Sequence, residues 1–294
     1  MLVSAIVPIG DFLKDKLQIL NIIELCAEPE IELILVLDSQ LPACVEFLQQ
    51  YLRGNQITNV KIKESRCRNP GETRNIGLRA ASGEWIVFWD SDDIPNVNAL
   101  ISSIKKYKII SVDVLIFNFK QQPISATLKS TGTKLNFCSV SVNPGVWRFA
   151  FHSEFIRGIF FKPFKMGEDQ IFILEVLARN PDISFSNIYV YTYVMGVPNQ
   201  LTSSRVAIAE LFYSINEVIN IVSKYKGKYE TFFRSILIKQ VITGIVNPNS
   251  HRIDIVKAVI SFFLTLKFRS KITFVFLSVK VIFLTVYFKI ARSR

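Results

Sequence analysis

The stretch "NPGETRNIGLRAASGEWIVFWDSDD" (residues 69–93) decides the fold of the N-terminal part of this chain. Its first part, residues 69–81, joins a proline and glycine turn to the apolar spacing of a helix. Its second part, "GEWIVFWD" (83–90), is a short apolar run typical of a buried strand. Three carboxylates follow within four positions: Asp90, Asp92 and Asp93. The stretch therefore predicts a helix, a buried strand and an acidic turn at the end of that strand.

The same alternation of apolar runs and helical patterns extends on both sides of this stretch. Buried strands are predicted over residues 2–10, 31–38, 59–65 and 112–120. Helices are predicted over residues 16–27, 42–52 and 96–107, the last of them capped by Asn96. Regular alternation of this kind predicts an α/β fold with a mostly parallel sheet flanked by helices.

Beyond residue 120 the pattern becomes less regular. Residues 121–146 are rich in Ser, Thr, Pro and Asn and are expected to form a long irregular connection, followed by a helix (168–180), a strand (183–194) and a polar loop (200–205). From about residue 206 only helical patterns occur. We therefore expect a sheet domain over residues 1–205 and a helical C-terminal region over residues 206–294.

Acidic residues end two of the predicted strands. Asp38 follows the second strand and Asp90 follows the fourth. Because ligands of parallel α/β sheets bind at the carboxyl ends of the strands, the two acids could converge on one edge. Each acid alone would more often be a turn or capping residue. Three carboxylates as close as those of residues 90–93, however, repel one another unless a cation or proton uptake compensates them.

The ligand types around these acids point to a hard cation. Oxygen ligands without a nearby His or Cys favour magnesium or manganese, which take one or two carboxylates and complete their shell with water and substrate phosphates. The implied ligand is a diphosphate, although the chain contains no glycine-rich phosphate loop. Arg74 could supply a second positive group, or it could be an ordinary surface arginine.

A second acidic pair, Glu168 and Asp169, opens the predicted helix of residues 168–180. Acids at a helix N-terminus are stabilised by the helix dipole, so the pair could be purely structural. A carboxylate at this place could instead take a proton from an attacking hydroxyl group. The spacing leaves both interpretations open.

These patterns, in this order, resemble the family 2 glycosyltransferases, inverting enzymes of the GT-A fold that use nucleotide-diphosphate sugars, here of the bacterial surface-polysaccharide type. The resemblance covers roughly residues 2–205. Besides the stretch 69–93, it depends on "VSAIVPIG", "ELILVLDS", "MGEDQIFILEVL" and "IYVYTYVMGVPNQLTSS".

The resemblance implies roles for the acids of the sheet edge. Pro8 would lie on the loop that lines the nucleotide base, and Asp38 would bind the base or ribose. In the D-x-D motif, Asp90 would face the ribose and Asp92 would ligate a divalent metal, Mn²⁺ or Mg²⁺, with Asp90 nearby. Asp93 is then the acid expected to be only structural.

The resemblance also implies a reaction. Asp169 would be the general base, with Glu168 beside it positioning the acceptor, in a single in-line displacement without a covalent sugar intermediate. The sequence "DSQLPAC" after Asp38 departs from the usual family pattern, which leaves base recognition open. The Q-x-x-R-W motif of processive synthases is absent from the sequence, so we expect transfer of one sugar, from a UDP-linked donor, to each acceptor.

The C-terminal tail carries most of the charge. Residues 251–294 hold nine Lys and Arg residues and one acid, which is +8 of the formal net charge of +11. Residues 272–288 carry one charge, Lys280. This segment is marginal in length for a membrane span, which needs ~20 apolar residues. We expect attachment to the inner face of the cell membrane, where lipid-linked acceptors lie. The alternatives are a packed helix or a contact within a homo-oligomer.

Two other functions stay open at this stage. A sugar nucleotidyltransferase would normally carry a glycine-rich basic loop after its first strand, whereas "PIGDFLKDK" has one glycine. A non-catalytic, membrane-anchored nucleotide-sugar binder is the second alternative. Nucleic acid is not an expected partner, because the basic residues are interleaved with apolar ones rather than with stacking platforms. The N-terminus lacks the basic start of a signal peptide, so we expect a cytoplasmic location.

Overall fold

The computed structural model describes residues 1–108, 111–123, 129–130, 135–196, 205–247, 250–267, 271–279 and 281–282. The chain forms two compact units. The first unit consists of Met1–Gly132, Val146–Pro163 and Pro181–Pro198. The second consists of Thr133–Gly145, Phe164–Asn180 and Asn199–Arg294. The predicted division at residue 205 stays a prediction.

The first half of unit 1 is a parallel sheet. Its strands are β1 (Val3–Ile9), β2 (Ile31–Asp38), β3 (Val60–Ser65) and β4 (Trp85–Phe88), in the order β3-β2-β1-β4. Every residue of β2 and β4 is buried, as expected for strands covered on both faces. The predicted alternation of strands and helices is confirmed over this region.

Four helices connect these strands or follow them: α1 (Phe12–Leu25), α2 (Pro42–Gly54), α3 (Pro70–Ala80) and α4 (Val97–Tyr107). Three of them begin at a side-chain cap. The side chains of Asp11, Asn69 and Asn96 accept hydrogen bonds from the backbone N–H groups three residues later. Such caps satisfy N–H groups that the helix itself leaves without a partner.

The second half of the sheet is mixed. Its strands are β5 (Ile94–Pro95), β6 (Val114–Pro123), β7 (Lys129–Ser130), β8 (Phe149–His152) and β9 (Ile183–Met195). Strand β8 pairs antiparallel with β4 and β6, while β9 pairs parallel with β6 and antiparallel with β5. The sequence does not predict β8, because its four residues are too few to show a strand period.

The expectation of an irregular segment over residues 121–146 is wrong in three places. Strand β6 continues to Pro123, strand β7 occupies Lys129–Ser130, and a helix α5 occupies Phe137–Val142. Asn136 caps this helix through a reciprocal pair of hydrogen bonds with Ser139. The polar composition that favoured a loop therefore supplies a capping box instead.

Unit 2 is helical over its described residues. Besides α5 it contains α6 (Glu168–Ala178), α7 (Arg205–Lys224), α8 (Glu230–Val246), α9 (Arg252–Thr265) and helical residues 271–279. Aromatic contacts join them: Phe137 of α5 packs on Phe232 of α8, with ring centroids 5.4 Å apart. The helical pattern predicted after residue 206 is present over the described residues, and the rest of the predicted C-terminal tail, residues 283–294, lies outside them. Within the described part of the chain, no helix combines the length and hydropathy that crossing a membrane requires.

A buried acid holds the turn before β4 against the sheet. Glu32 on β2 forms an ion pair with Lys61 and accepts hydrogen bonds from Ser4 and Ser82. Burial alone would raise the pKa of Glu32, but these donors outweigh it and lower the pKa from 4.5 to about 2. Gly83 completes the turn, because a β-carbon there would lie 2.5 Å from the backbone nitrogen of Ser4.

We predict that Glu32→Gln makes stability less dependent on acid pH. The pKa of Glu32 is lower in the folded chain, so its stabilising contribution is present above pH 4.5 and is lost as the pH falls towards 2. At pH 7 the variant should lose about 2–3 kcal/mol of unfolding free energy, and this loss should shrink below pH 4.5. Urea unfolding between pH 7 and pH 3 measures both effects. Glu46→Gln, at an exposed position of α2, is the control. A constant difference from wild type across this range would contradict the prediction.

Candidate functional site

Two of the predicted acids lie at the same edge of the sheet. Asp38 is the last residue of β2, and Asp90 follows the end of β4 by two residues. Both strands pair in parallel with β1, one on each side. Pro8, on β1, pairs with Val36 and is partly exposed between the two acids. The carboxyl ends of three neighbouring strands therefore bring these residues together, as the sequence predicts.

Helix α3 binds both acids through consecutive residues. The hydroxyl of Thr73 donates to Oδ2 of Asp38 at 3.1 Å. The guanidinium of Arg74 donates to Oδ1 of Asp90 at 2.7 Å. Arg74 is only 6% exposed, so the alternative that it is an ordinary surface arginine is wrong. Its charge compensates Asp90, and its planar fork suits a carboxylate.

Close packing of α3 on the sheet makes these bonds possible. A β-carbon at Gly77 would lie 2.3 Å from Cγ2 of Ile6 and 3.2 Å from Cγ2 of Val36, so only glycine permits this approach. Asn75 fixes the other side of the helix. The side chain of Asn75 donates to the backbone carbonyl of Phe161 and accepts from the backbone N–H of Phe161.

The acidic turn after β4 is held from two further elements. The backbone N–H of Asp90 donates to the hydroxyl of Tyr191 on β9 at 2.9 Å. Ser91 donates to Asp15 on α1 at 2.7 Å. From the same helix, the side chain of Gln18 donates to the carbonyl of Asp93 at 2.7 Å. The turn is therefore fixed by helix α1, strand β9 and helix α3 together.

Asp93 is enclosed, with a relative exposure of 0%. Its Oδ1 accepts from the N–H of Val194 at 2.7 Å. Burial, and next the charge of Asp90, raise the pKa of Asp93 to about 9, against the lowering effect of the Val194 hydrogen bond. The carboxyl group is consequently protonated at neutral pH. Proton uptake, one of the two ways in which the repulsion among the three carboxylates could be relieved, thus removes one of their charges. The contacts of Asp93 fit the structural role predicted for it.

Asp92 is the partly exposed acid between these fixed neighbours. Its carboxylate and that of Asp90 offer the oxygen ligands that Mn²⁺ and Mg²⁺ take, so the residues fit such an ion. Among the described residues, no group of three or more His, Cys, Asp or Glu side chains is preassembled for a metal. The roles predicted for Asp90, Asp92, Asp38 and Pro8 stay predictions.

The second acidic pair belongs to unit 2. Glu168 and Asp169 open helix α6, directly after Gly167, which has a left-handed backbone with φ of 85°. Glu168 is 7% exposed and Asp169 is partly exposed. Oδ1 of Asp169 accepts from the N–H of Gln170 at 2.8 Å. Their predicted roles as base and acceptor-positioning residue stay predictions.

Two residues of this site carry no signal in the sequence. Thr73 stands beside Arg74 within the decisive stretch, yet a helical threonine shows no sign of its hydrogen bond to Asp38. Tyr191 lies in an alternating strand, where its contact with the acidic turn has no sequence signature. Tyr191 also stacks on Trp147, with ring centroids 5.0 Å apart, and Trp147 is 7% exposed, so it is a core residue.

Comparison with known proteins assigns this chain to a family. The model of glycosyl transferase family 2 matches residues 16–166, just over half of the chain. The chain belongs to glycosyl transferase family 2. The resemblance inferred from the motifs is confirmed.

Individual relatives agree with this family. The poly(ribitol-phosphate) β-N-acetylglucosaminyltransferase TarS of Staphylococcus aureus is 25% identical over 200 residues, which are 65% of this chain and 34% of TarS. The chain thus spans about a third of the length of that relative. The crystal structure of TarS 1–349 in complex with UDP-GlcNAc has a TM-score of 0.72 at 19% identity, covering 92% of this chain and 82% of that one.

A more distant structure has the same fold. The mannosyltransferase PcManGT of Pyrobaculum calidifontis, in complex with GDP-Man and Mn²⁺, has a TM-score of 0.54 at 14% identity and covers 98% of this chain and 87% of that one. The α/β fold of GT-A type predicted from the sequence is confirmed, with a mixed sheet in place of a mostly parallel one.

We predict that Tyr191→Phe weakens the acidic turn. The change removes one oxygen atom, so packing is kept, but the N–H of Asp90 loses its acceptor. The free energy of unfolding should fall by about 1–2 kcal/mol. Chemical denaturation of both proteins measures this change. Tyr213→Phe, at a position 57% exposed on α7, controls for the substitution itself. Equal loss in the two variants would show that the Tyr191 hydroxyl does not hold the turn.

Proposed function

We propose that this protein is an inverting glycosyltransferase that moves a sugar from a nucleotide-diphosphate sugar, UDP-linked, to a hydroxyl group of a lipid-linked or surface-polysaccharide acceptor. The observation that carries the proposal is the pair of edge acids, Asp38 and Asp90, bound by consecutive residues of α3 in a chain of family 2. The likeness to structures in complex with UDP-GlcNAc and with GDP-Man supports a nucleotide-sugar donor.

Donor binding would use the edge of the sheet. Asp38 is anchored through one oxygen by Thr73, which orients its carboxylate for the hydroxyl or N–H groups of the nucleoside. Asp90 is oriented in the same way by Arg74 and would face the ribose. Because both acids are bound before any ligand arrives, little side-chain entropy remains to be lost when the nucleotide binds.

The diphosphate would be bound through Asp92, together with Asp90. A bound Mn²⁺ or Mg²⁺ would offset the charge that develops on the departing nucleoside diphosphate. Asp93 is buried and bound by the N–H of Val194, so it helps to keep the turn rigid. Arg74 is engaged with Asp90, so its role in this proposal is to orient that acid rather than to contact the diphosphate directly.

The acceptor would be activated by Asp169. Its carboxylate would remove the proton from the acceptor hydroxyl, while Glu168 positions the acceptor. A single displacement at the anomeric carbon then forms the bond to the acceptor oxygen as the bond to the nucleoside diphosphate breaks, which inverts the configuration. The proton taken from the acceptor hydroxyl stays on Asp169. The partly exposed position of Asp169 at the start of α6 gives it access to solvent and substrate.

The test separates donor binding from transfer. Calorimetric titration with UDP, UDP-GlcNAc and GDP-Man, with and without Mn²⁺, should give metal-dependent binding for wild type. Asp92→Ala should weaken this binding at least about tenfold, because a metal-phosphate bridge is lost. Asp169→Asn should bind donor like wild type but form product at least about 100-fold more slowly, since it lacks the general base. Glu64→Ala, which removes an exposed acid of β3, is the control.

Three outcomes would contradict the proposal. Full transfer activity in Asp169→Asn would remove that residue as the base. Formation of a nucleotide sugar from a sugar phosphate and a nucleoside triphosphate would favour a sugar nucleotidyltransferase. Donor binding without transfer or hydrolysis in wild type, over a panel of glycan and lipid-linked acceptors, would favour a non-catalytic binder.

We further propose that the C-terminal helices lie on the anionic inner face of the cell membrane. Large apolar side chains repeat at helical spacing on α9 and remain exposed: Ile253, Val256, Ile260 and Leu264. The next helical residues expose Ile272, Val275, Phe276 and Val279. Arg252, Lys257 and Lys267 are exposed alongside. An apolar helix face flanked by cations matches the interface of an anionic bilayer.

Vesicle binding tests this location. Wild type should co-sediment with vesicles containing phosphatidylglycerol and much less with pure phosphatidylcholine. The double variant Ile260→Glu/Phe276→Glu should lose at least about tenfold in affinity, since two apolar contacts are replaced by charges that anionic lipid repels. Leu17→Glu, at a position 84% exposed on α1, is the matched control. Unchanged vesicle binding of the double variant would overturn the proposal in favour of another binding surface. If light scattering shows that wild type is a dimer and the double variant a monomer, the exposed apolar face is instead a contact within a homo-oligomer.

A further inference from the structure

Helix α6 begins after Gly167, which packs against side chains of two other helices of unit 2. Gly167 is the N-cap, with φ of 85° and no side-chain cap. A β-carbon at this position would lie 2.7 Å from the hydroxyl oxygen of Ser214 on α7 and 3.0 Å from Nε2 of Gln240 on α8. Two polar side chains therefore contact the backbone of the residue directly before Glu168 and Asp169.

The two polar side chains differ in how their hydrogen-bonding groups are used. Ser214 is fully buried and donates to the carbonyl of Leu211 at 2.9 Å. Gln240 is 2% exposed, and among the described residues neither its carboxamide oxygen nor its nitrogen has a hydrogen-bond partner. A buried amide without a partner costs folding free energy, and an apolar side chain of similar size would avoid that cost.

The surroundings make this cost specific to Gln240. Its neighbours on α8, Leu237, Ile238 and Val241, are buried apolar residues. Helix packing alone would therefore be served by leucine or methionine at position 240. A buried polar group that is left without partners requires another explanation, and its position against the turn of the two acids supplies one.

We propose that Gln240 is a positioning residue for the Glu168–Asp169 turn, an inference that rests on the proposed function. The carboxamide has donors and an acceptor in one planar group. Held against Gly167, it stabilises the first turn of α6 when the acceptor occupies the site, so that the carboxylate of Asp169 keeps the orientation needed for proton removal. Gln240 contacts neither the substrate nor the reacting atoms.

The substitution Gln240→Leu separates this role from packing. If Gln240 positions the acids, the variant should unfold at the same or a higher temperature, because an unpaired buried amide is gone, while kcat for transfer falls about 10- to 100-fold through misplacement of the base. The Kd for UDP in the presence of Mn²⁺ should stay within about twofold, since the donor acids belong to other elements. Stability and activity are then expected to move in opposite directions.

Two further variants complete the experiment. Gln240→Met, unbranched like glutamine, gives a second apolar replacement if leucine disturbs folding. Ser235→Ala removes a buried hydroxyl of α8 that donates within the helix to Thr231, and it should leave kcat unchanged. This control reports what the loss of an unrelated polar group on the same helix does.

The outcomes are distinguishable. Wild-type kcat in both Gln240→Leu and Gln240→Met would reduce Gln240 to a packing residue. Parallel loss of kcat and of donor affinity would indicate a general disturbance and would also overturn the positioning role. If the wild-type protein binds donor but transfers no sugar, the proposed function is wrong. The positioning role of Gln240 is then wrong as well, because it depends on that function.

Discussion

The candidate donor site depends on how closely helix α3 approaches the sheet. The parallel strands place Asp38 and Asp90 at the same edge of the sheet, but they do not fix the rotamers of these acids. Two consecutive residues of α3 do so, and they reach because Gly77 allows the helix backbone to lie against Ile6 and Val36. Any side chain at position 77 would push the helix outward and lengthen both bonds. The same packing buries Arg74, and a buried guanidinium needs its carboxylate partner, so helix position and acid orientation stabilise each other.

Charge compensation follows from this arrangement. Three carboxylates within four positions could not all remain ionised in a partly buried turn without a penalty. Each is treated differently: Asp90 is paired with Arg74, Asp93 holds its proton, and Asp92 is left partly exposed. The hydroxyl of Tyr191 accepts from the N–H of Asp90, and the N–H of Val194 donates to Asp93. Strand β9 thus contacts the turn at both ends, alongside helices α1 and α3.

The sequence predicts the parts of this structure that depend on local pattern and on strand ends. Buried runs and helical spacing identify β1 to β4 and α1 to α4, and the acids at strand ends identify the site edge. It does not predict β8, whose four residues are too short for a period, or α5, whose polar capping residues look like a loop. The bonds of Thr73 and Tyr191 are contacts between elements distant in sequence, and no single-sequence pattern encodes such contacts. Trp147 illustrates the same limit, since only its stack on Tyr191 assigns it to the core.

The two acidic turns of the chain are stabilised in different ways. In unit 1 Asp38 and Asp90 are held by the side chains of Thr73 and Arg74, and Asp93 by the backbone N–H of Val194, so their geometry is set before any ligand binds. In unit 2 the acids follow a glycine with left-handed backbone, packed against Ser214 and against the amide of Gln240, which has no hydrogen-bond partner within the described part of the chain. If the proposed function is correct, this amide remains available for a hydrogen bond when the acceptor arrives, which favours differential interaction at the step where the acceptor reacts.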